Sequence, residues 1–238
     1  MTKMVFQESV MSSIEELFHD NILISISGKA GTGKTSLSLF LIGSFLTSLR
    51  PYEGSCIWVQ ASESFSKKRL DTMFRKNGEQ LIYLTHNIFV TPGNKPFLSY
   101  DLQLKELKKF TTTFFPPEIK FIVIDNISHH LRYKLSRITD MEIKSDLINK
   151  FYDTNLTPLI FRCQREKINL ILIHEVSFDV KSQQTRPFFS KLYERLKGVH
   201  ITLSKSFVSN QRTMKLAFNN TQFSFKFTIT ESEFTFSE

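Results

Sequence analysis

Gly28-Lys29-Ala30-Gly31-Thr32-Gly33-Lys34-Thr35 matches the pattern G-x-x-x-x-G-K-[ST] without deviation, and its flanks decide what it means. Residues 22–27 (ILISIS) before it read as a short, branched, apolar strand, and residues 34–49 after it read as a helix. The chain holds only 8 glycines, and Gly28, Gly31 and Gly33 fall within these few positions. Such spacing lets successive backbone N–H groups turn inward on an anion, and the helix that follows adds the positive end of its dipole. The segment is expected to hold the phosphates of ATP through residues 28–35 and Ser36. Lys34 should reach the β- and γ-phosphates, and the Thr35 hydroxyl should coordinate Mg²⁺.

Outward from the loop, Pro51-Tyr52-Glu53-Gly54 turns the chain into a second apolar strand at 55–59, and further strands read at 87–90, 120–124 and 169–173. Helical patterns at 66–76, 100–114 and 140–165 separate them. Strands alternating with helices predict parallel pairing through right-handed crossovers. The apolar run Phe121-Ile122-Val123-Ile124 ends in Asp125, which downstream of a phosphate loop becomes the second candidate metal ligand. From residue 199 the texture changes. Segments 199–203, 212–218 and 222–229 follow with short connections, as an antiparallel ribbon closing the sheet would. A Ser-x-x-Glu capping box at Ser12 or Ser13 predicts a short helix through Phe18. No linker splits the chain, so one domain over 1–238 is expected, with residues 1–20 as its helical start and 199–238 as its ribbon.

Composition narrows the class. The 238 residues are 41% hydrophobic and 23% charged, a globular balance. Lys and Arg exceed Asp and Glu by 31 to 23, giving +8, which suits a polyanionic partner. No stretch is long and apolar enough for a membrane span, and no membrane partner is expected. Cys56 and Cys163 have no C-x-x-C spacing and read as buried thiols of a reducing cytoplasm. His129, His130 and His174 lack further ligands at a recognisable metal-site spacing.

With both phosphate-loop elements in place, the chain resembles the core ATPase of the RecA/RadA recombinases, most closely the short archaeal RadB-like proteins. Phe65-Ser66-Lys67-Lys68-Arg69-Leu70 is similar to the family's Phe-x-x-x-Arg-Leu, and Asp125-Asn126-Ile127-Ser128 with Leu131-Arg132-Tyr133 resembles its Asp-Ser-hydrophobic-Thr and Phe-Arg-Tyr stretch. Leu172-Ile173-His174-Glu175-Val176, then Arg186-Pro187 and the ribbon, resemble the RadB-like carboxyl half. The resemblance implies a RecA-type P-loop α/β fold, a mainly parallel sheet flanked by helices with an antiparallel extension, and adds Arg69 to the nucleotide contacts. About twenty residues precede the first strand, so the separate amino-terminal DNA-binding domain of full-length recombinases is not expected. Phe6-Gln7-Glu8-Ser9 faintly resembles the family's Phe-x-x-Ala subunit hook.

Two departures bear on catalysis. The family's second strand ends in Asp-Thr-Glu-Gly, whose Glu positions the attacking water, whereas Gln60-Ala61-Ser62-Glu63 puts Ser62 there and Glu63 one residue later. Either the loop bulges to bring Glu63 to the γ-phosphate, or hydrolysis is slow. At the family's Asn-Gln γ-phosphate sensor stand His174 and Glu175, and Glu175 is either a substitute base or a buried acid with a partner. Arg132, Lys134, Arg137, Lys181 and Arg186 fall where the family's DNA-contacting loops lie, with Phe178, Phe188 and Phe189 available for stacking. The expected function is a RadB-like accessory of homologous recombination and repair that binds ATP, Mg²⁺ and single-stranded DNA, hydrolyses ATP weakly, and meets a full-length recombinase, a related subunit or its own copies. The alternatives are an inactive nucleotide-binding scaffold and a KaiC-like signalling ATPase that needs no DNA.

Overall fold

The computed structural model describes residues 14, 16, 18, 22–48, 50–179, 183–188, 198–206, 211–219, 221–230 and 234–237. The expected cap at Ser12 or Ser13, the Phe6 hook, Lys181 and Phe189 lie outside them. The first strand, β1 (Leu23–Gly28), leads into α1 (Lys34–Leu46), and β2 (Ser55–Gln60) is followed by α2 (Lys67–Phe74) and α3 (Gly78–Asn87). Next come β3 (Ile88–Thr91), α4 (Tyr100–Thr112), β4 (Ile119–Asp125), α5 (His129–Ser136) and α6 (Met141–Phe151). A π-helical turn (Tyr152–Leu156) joins α6 to α7 (Thr157–Glu166), and β5 (Asn169–His174) follows. The remaining strands are β6 (Val176–Asp179), β7 (Gln184–Pro187), β8 (Val199–Lys205), β9 (Arg212–Phe218), β10 (Thr221–Ile229) and β11 (Phe234–Ser237).

Nine strands form one sheet in the order β11-β10-β9-β8-β1-β5-β4-β2-β3, and β6 pairs with β7 in a separate hairpin. From β8 to β3 every pairing is parallel, and from β8 to β11 every pairing is antiparallel. The mainly parallel sheet with an antiparallel extension matches the fold class expected from the sequence.

Side chains alternate across the parallel strands, and both faces are apolar. On one face Ile24, Ile26, Trp58, Phe121, Val123, Ile171 and Ile173 pack with Leu37, Leu41 and Ile42 of α1. On the other, Val59, Ile122, Ile124, Leu170 and Leu172 pack with Leu107 of α4, Leu131 of α5 and Leu159 and Ile160 of α7. The ribbon instead buries one face. Met214, Leu216, Phe227, Phe234 and Phe236 join the α1 side, where Phe40 of α1 stacks on Phe234 with centroids 5.0 Å apart. Ile14 and Phe18 are helical and buried in the same cluster, and Phe18 stacks on Phe45. Cys56 and Cys163 are free and buried, and burial pushes both thiols up, Cys163 to about 12.

Several expectations need correction. The helix expected over 140–165 is divided by the π turn. α3 lacked a sequence signal because only Leu84 is fully inside, while Asn77 Oδ1 caps the helix by accepting from Gln80 N at 3.2 Å. α5 is eight residues long, and β6 and β7 are four each, too short to declare a period. β11 adds a strand beyond the ribbon expected, and β8 is a parallel neighbour of β1 as well as the ribbon's first strand.

α2 approaches α1 at Gly43, where an added Cβ would lie 2.1 Å from Phe74 Cζ. Gly43→Val is therefore expected to push α2 off α1 and lower stability by about 1–3 kcal/mol, the usual range for overpacking. The denaturant midpoint checks this, and an unchanged midpoint would show that the buried Phe74 ring yields freely.

Candidate functional site

β1 ends in the middle of the sheet, where Ser27 pairs with His174 of β5 and Gly28 with Leu203 of β8. The loop that follows closes on itself, with Thr32 Oγ1 donating to Lys29 O at 2.9 Å. Gly33 is the N-cap of α1 in a left-handed conformation, φ 103°, which only glycine adopts readily. Among the described residues no side chain caps the first turn of α1, so its N–H groups are offered to an anion in the cleft. The cleft has a volume of about 980 Å³ and is lined by Gly28, Lys29, Ala30, Gly31, Gly33, Lys34, Thr35 and Ser36.

Thr35 Oγ1 donates to Asp125 Oδ2 at 2.8 Å, joining the start of α1 to the end of β4. Burial pushes Asp125 up to about 6, against the Thr35 hydrogen bond and with help from the Glu63 charge; Lys34 and Arg69 pull it down. A hydroxyl and a buried carboxylate in contact beside a phosphate-type loop are a hard-oxygen donor set that suits Mg²⁺. Lys34 Nζ donates to Gly28 O at 2.9 Å and Lys29 O at 3.2 Å. Burial lowers the Lys34 pKa while Asp125, Glu63 and Glu175 oppose the shift, so the ammonium sits among carboxylates.

The two departures from the family pattern have distinct surroundings. Ser62 Oγ accepts from Asn126 N at 3.3 Å, tying the loop after β2 to the end of β4, while Glu63 is exposed and lines the cleft. Glu175, just past β5, is a partnered acid. Its Oε1 meets His129 Nδ1 at 2.9 Å and accepts from Asn126 Nδ2 at 3.3 Å, while Oε2 accepts from Arg132 Nη1 at 2.8 Å. Burial pushes this carboxyl up, but the bonds from His129, Arg132 and Asn126 outweigh it and hold the carboxyl below its usual range. His174 is fully buried, and burial, with the nearby charges of His200 and Lys34, holds it down at about 3. His130 Nε2 lies 2.8 Å from Ala61 O.

The phosphate-loop residues other than the buried Thr32 line one cleft with Glu63, Arg69, Asp125 and Glu175. Arg132, expected among the DNA contacts, also lines it. Lys134 is elsewhere on the same helix, and Arg137 is its C-cap. Lys134 donates to Asp101 at 2.9 Å and lies 4.7 Å from the Tyr100 ring centroid, and Arg137 packs over Tyr133 at 4.3 Å and bonds its hydroxyl. Arg186 lies across the hairpin from Ser177. Sequence reasoning missed Asn126, Lys68 and Thr72 as cleft residues, and also Arg212, Ile229 and Thr230. The last three come from the ribbon, whose register against β8 no local pattern reveals; an added Cβ at Gly33 would lie 2.1 Å from Ile229 Cδ1.

Fold and cleft together define an α/β protein of RecA-type fold whose cleft opens at a glycine-rich loop. No protein-family model matches the chain. It is 26% identical over 185 residues to the DNA repair and recombination protein RadB of Thermococcus gammatolerans, spanning 74% of this chain and 73% of that protein. It superposes on the crystal structure of the RadB recombinase with a TM-score of 0.67 at 21% identity, covering 91% of both chains. The chain is thus RadB-like in sequence and RecA-type in fold. Among the described residues no helix is long and apolar enough to cross a membrane.

Because its folded pKa is lowered, Glu175 stabilises the fold above its ordinary value of 4.5, and that contribution disappears as pH falls through the lowered value. Glu175→Gln is expected to lose about 1 kcal/mol at neutral pH, typical of a partly exposed pair, and almost nothing in acid. Melting temperatures of both proteins across pH test this, and a deficit that persists undiminished in acid would contradict it.

Proposed function

We propose that the chain binds ATP with Mg²⁺ in this cleft and acts in DNA recombination or repair as a RadB-like accessory protein with weak, DNA-linked ATP hydrolysis. The observation that carries the reading is the Thr35–Asp125 contact at the mouth of the Gly28–Thr35 loop, which brings two elements of a nucleotide site together from positions 90 apart in sequence. The loop N–H groups and Lys34 would hold the phosphates, and Arg69 on α2 would border the nucleotide. Thr35 and Asp125 would hold Mg²⁺, which when bound neutralises phosphate charge. Glu63 is the remaining carboxylate of the right kind to orient water, since both oxygens of Glu175 are engaged.

The +8 charge, half-buried Lys134, exposed Arg137 and Arg186 of the β6–β7 hairpin support contact with DNA. Contacts to phosphate alone are sequence-tolerant and weaken steeply with salt. The similarity to a recombination protein supports a full-length recombinase, a related subunit or a second copy as partner, and a cytoplasmic setting fits the buried thiols. Ser62 favours a second reading, a nucleotide-binding scaffold without turnover, because its hydroxyl is engaged with Asn126 N and carries no carboxylate.

ATP turnover with and without single-stranded DNA, using Lys34→Ala as the blank, separates the two. Lys34→Ala should keep its fold and lose turnover, and if it retains normal affinity and rate, Lys34 is not in the site. Binding without turnover in the unmodified protein selects the scaffold. Where turnover is found, Glu63→Gln should reduce it by about 10²-fold or more, as loss of a general base does, and by more than Glu175→Gln does. The opposite ranking would place water activation at Glu175.

A further inference from the structure

Glu175 enters the cleft with a guanidinium attached. His174 pairs with Ser27, so the next residues along the two strands, Glu175 and Gly28, emerge side by side where the loop begins. A bare carboxylate at that place would repel the phosphates the loop is built to hold. It is not bare: Arg132 Nη1 meets Oε2 at 2.8 Å, and His129 and Asn126 hold Oε1. Ser128 Oγ accepts from Glu175 N at 3.0 Å, fixing the backbone from which the carboxylate projects. Arg132 also lies 5.5 Å from the centroid of the Phe188 ring.

A guanidinium carries five N–H donors in a planar fork. The bond to Glu175 uses one of them, while the Arg132 side chain is 50% exposed and lines the cleft with Lys34 and Asp125. The carboxylate and the aromatic ring fix its position before any ligand arrives, which is what efficient anion recognition requires. We propose that Arg132 is a second phosphate-binding cation of this site, contacting the terminal phosphate of a nucleoside triphosphate, and that Glu175 is its positioning residue rather than a base. This rests on the nucleotide reading given under Proposed function. It moves Arg132 from the DNA-facing set to the nucleotide, and it makes the cleft selective for triphosphate over diphosphate.

The test is equilibrium binding of ADP and of a non-hydrolysable ATP analogue to the unmodified protein, Arg132→Ala, Arg132→Lys and the double variant Arg132→Ala/Glu175→Ala. Loss of a charged hydrogen bond predicts that Arg132→Ala lowers the analogue-to-ADP affinity ratio about tenfold or more, over and above any fall that the uncovered Glu175 charge causes in both affinities. Arg132→Lys should recover part of the ratio, since it restores charge without the fork. The double variant should remain unselective, because the donor is still missing. An unchanged ratio in Arg132→Ala overturns the inference, as does full recovery in the double variant, which would mean that Arg132 only neutralises Glu175. If the unmodified protein binds neither nucleotide, the nucleotide reading itself fails, an outcome distinct from both.

Discussion

The hydrogen bond from Thr35 Oγ1 to Asp125 Oδ2 fastens the first turn of α1 to the end of β4, and the cleft is arranged around it. It forms because β5 alone separates β1 from β4, so a helix leaving β1 packs back over β1, β5 and β4. That order is tenable only with both faces of the parallel strands covered, which is why two apolar clusters lie back to back. The same burial raises Asp125 to about 6 and so creates a standing need for positive charge beside it. Lys34 and Arg69 partly answer that need, and the donor set of Thr35 and Asp125 suits a divalent cation for the rest.

Around this contact the charges are layered. Lys34 rests on carbonyls of its own loop, and Glu63 stands exposed at the cleft wall. Glu175 is held by three side chains. The carboxylates are therefore chemically unequal. One is buried with its pKa raised, one is open, and one is lowered by its partners. Unequal environments are how similar side chains acquire separate roles.

The parallel core was legible because each of its strands is a short apolar run ending at a turn or a helix, and because the Gly28–Thr35 spacing has one structural solution. Asp125 was legible through the apolar residues before it. What escaped was set by tertiary contact. α3 buries little besides Leu84, and α5 is too brief to show a period, although it carries Arg132 into the cleft. Arg132 and Glu175 are 43 positions apart, and the pairing of a charge with its countercharge leaves no trace in local pattern. Arg212, Ile229 and Thr230 reach the cleft through the register of β8, β9 and β10, which depends on how the ribbon seats over α1.

β1 is the first strand of the sheet in sequence and stands at its centre, but both its neighbours are made late, β5 from residue 169 and β8 from residue 199. On a ribosome its backbone groups therefore have no strand to pair with until most of the chain has been synthesised. Contacts of such long sequence separation close slowly. Until they do, the apolar strand that launches the phosphate loop presents two open edges to any other chain nearby. The geometry that places the loop at the middle of the finished sheet thus leaves its parent strand without either neighbour through most of synthesis.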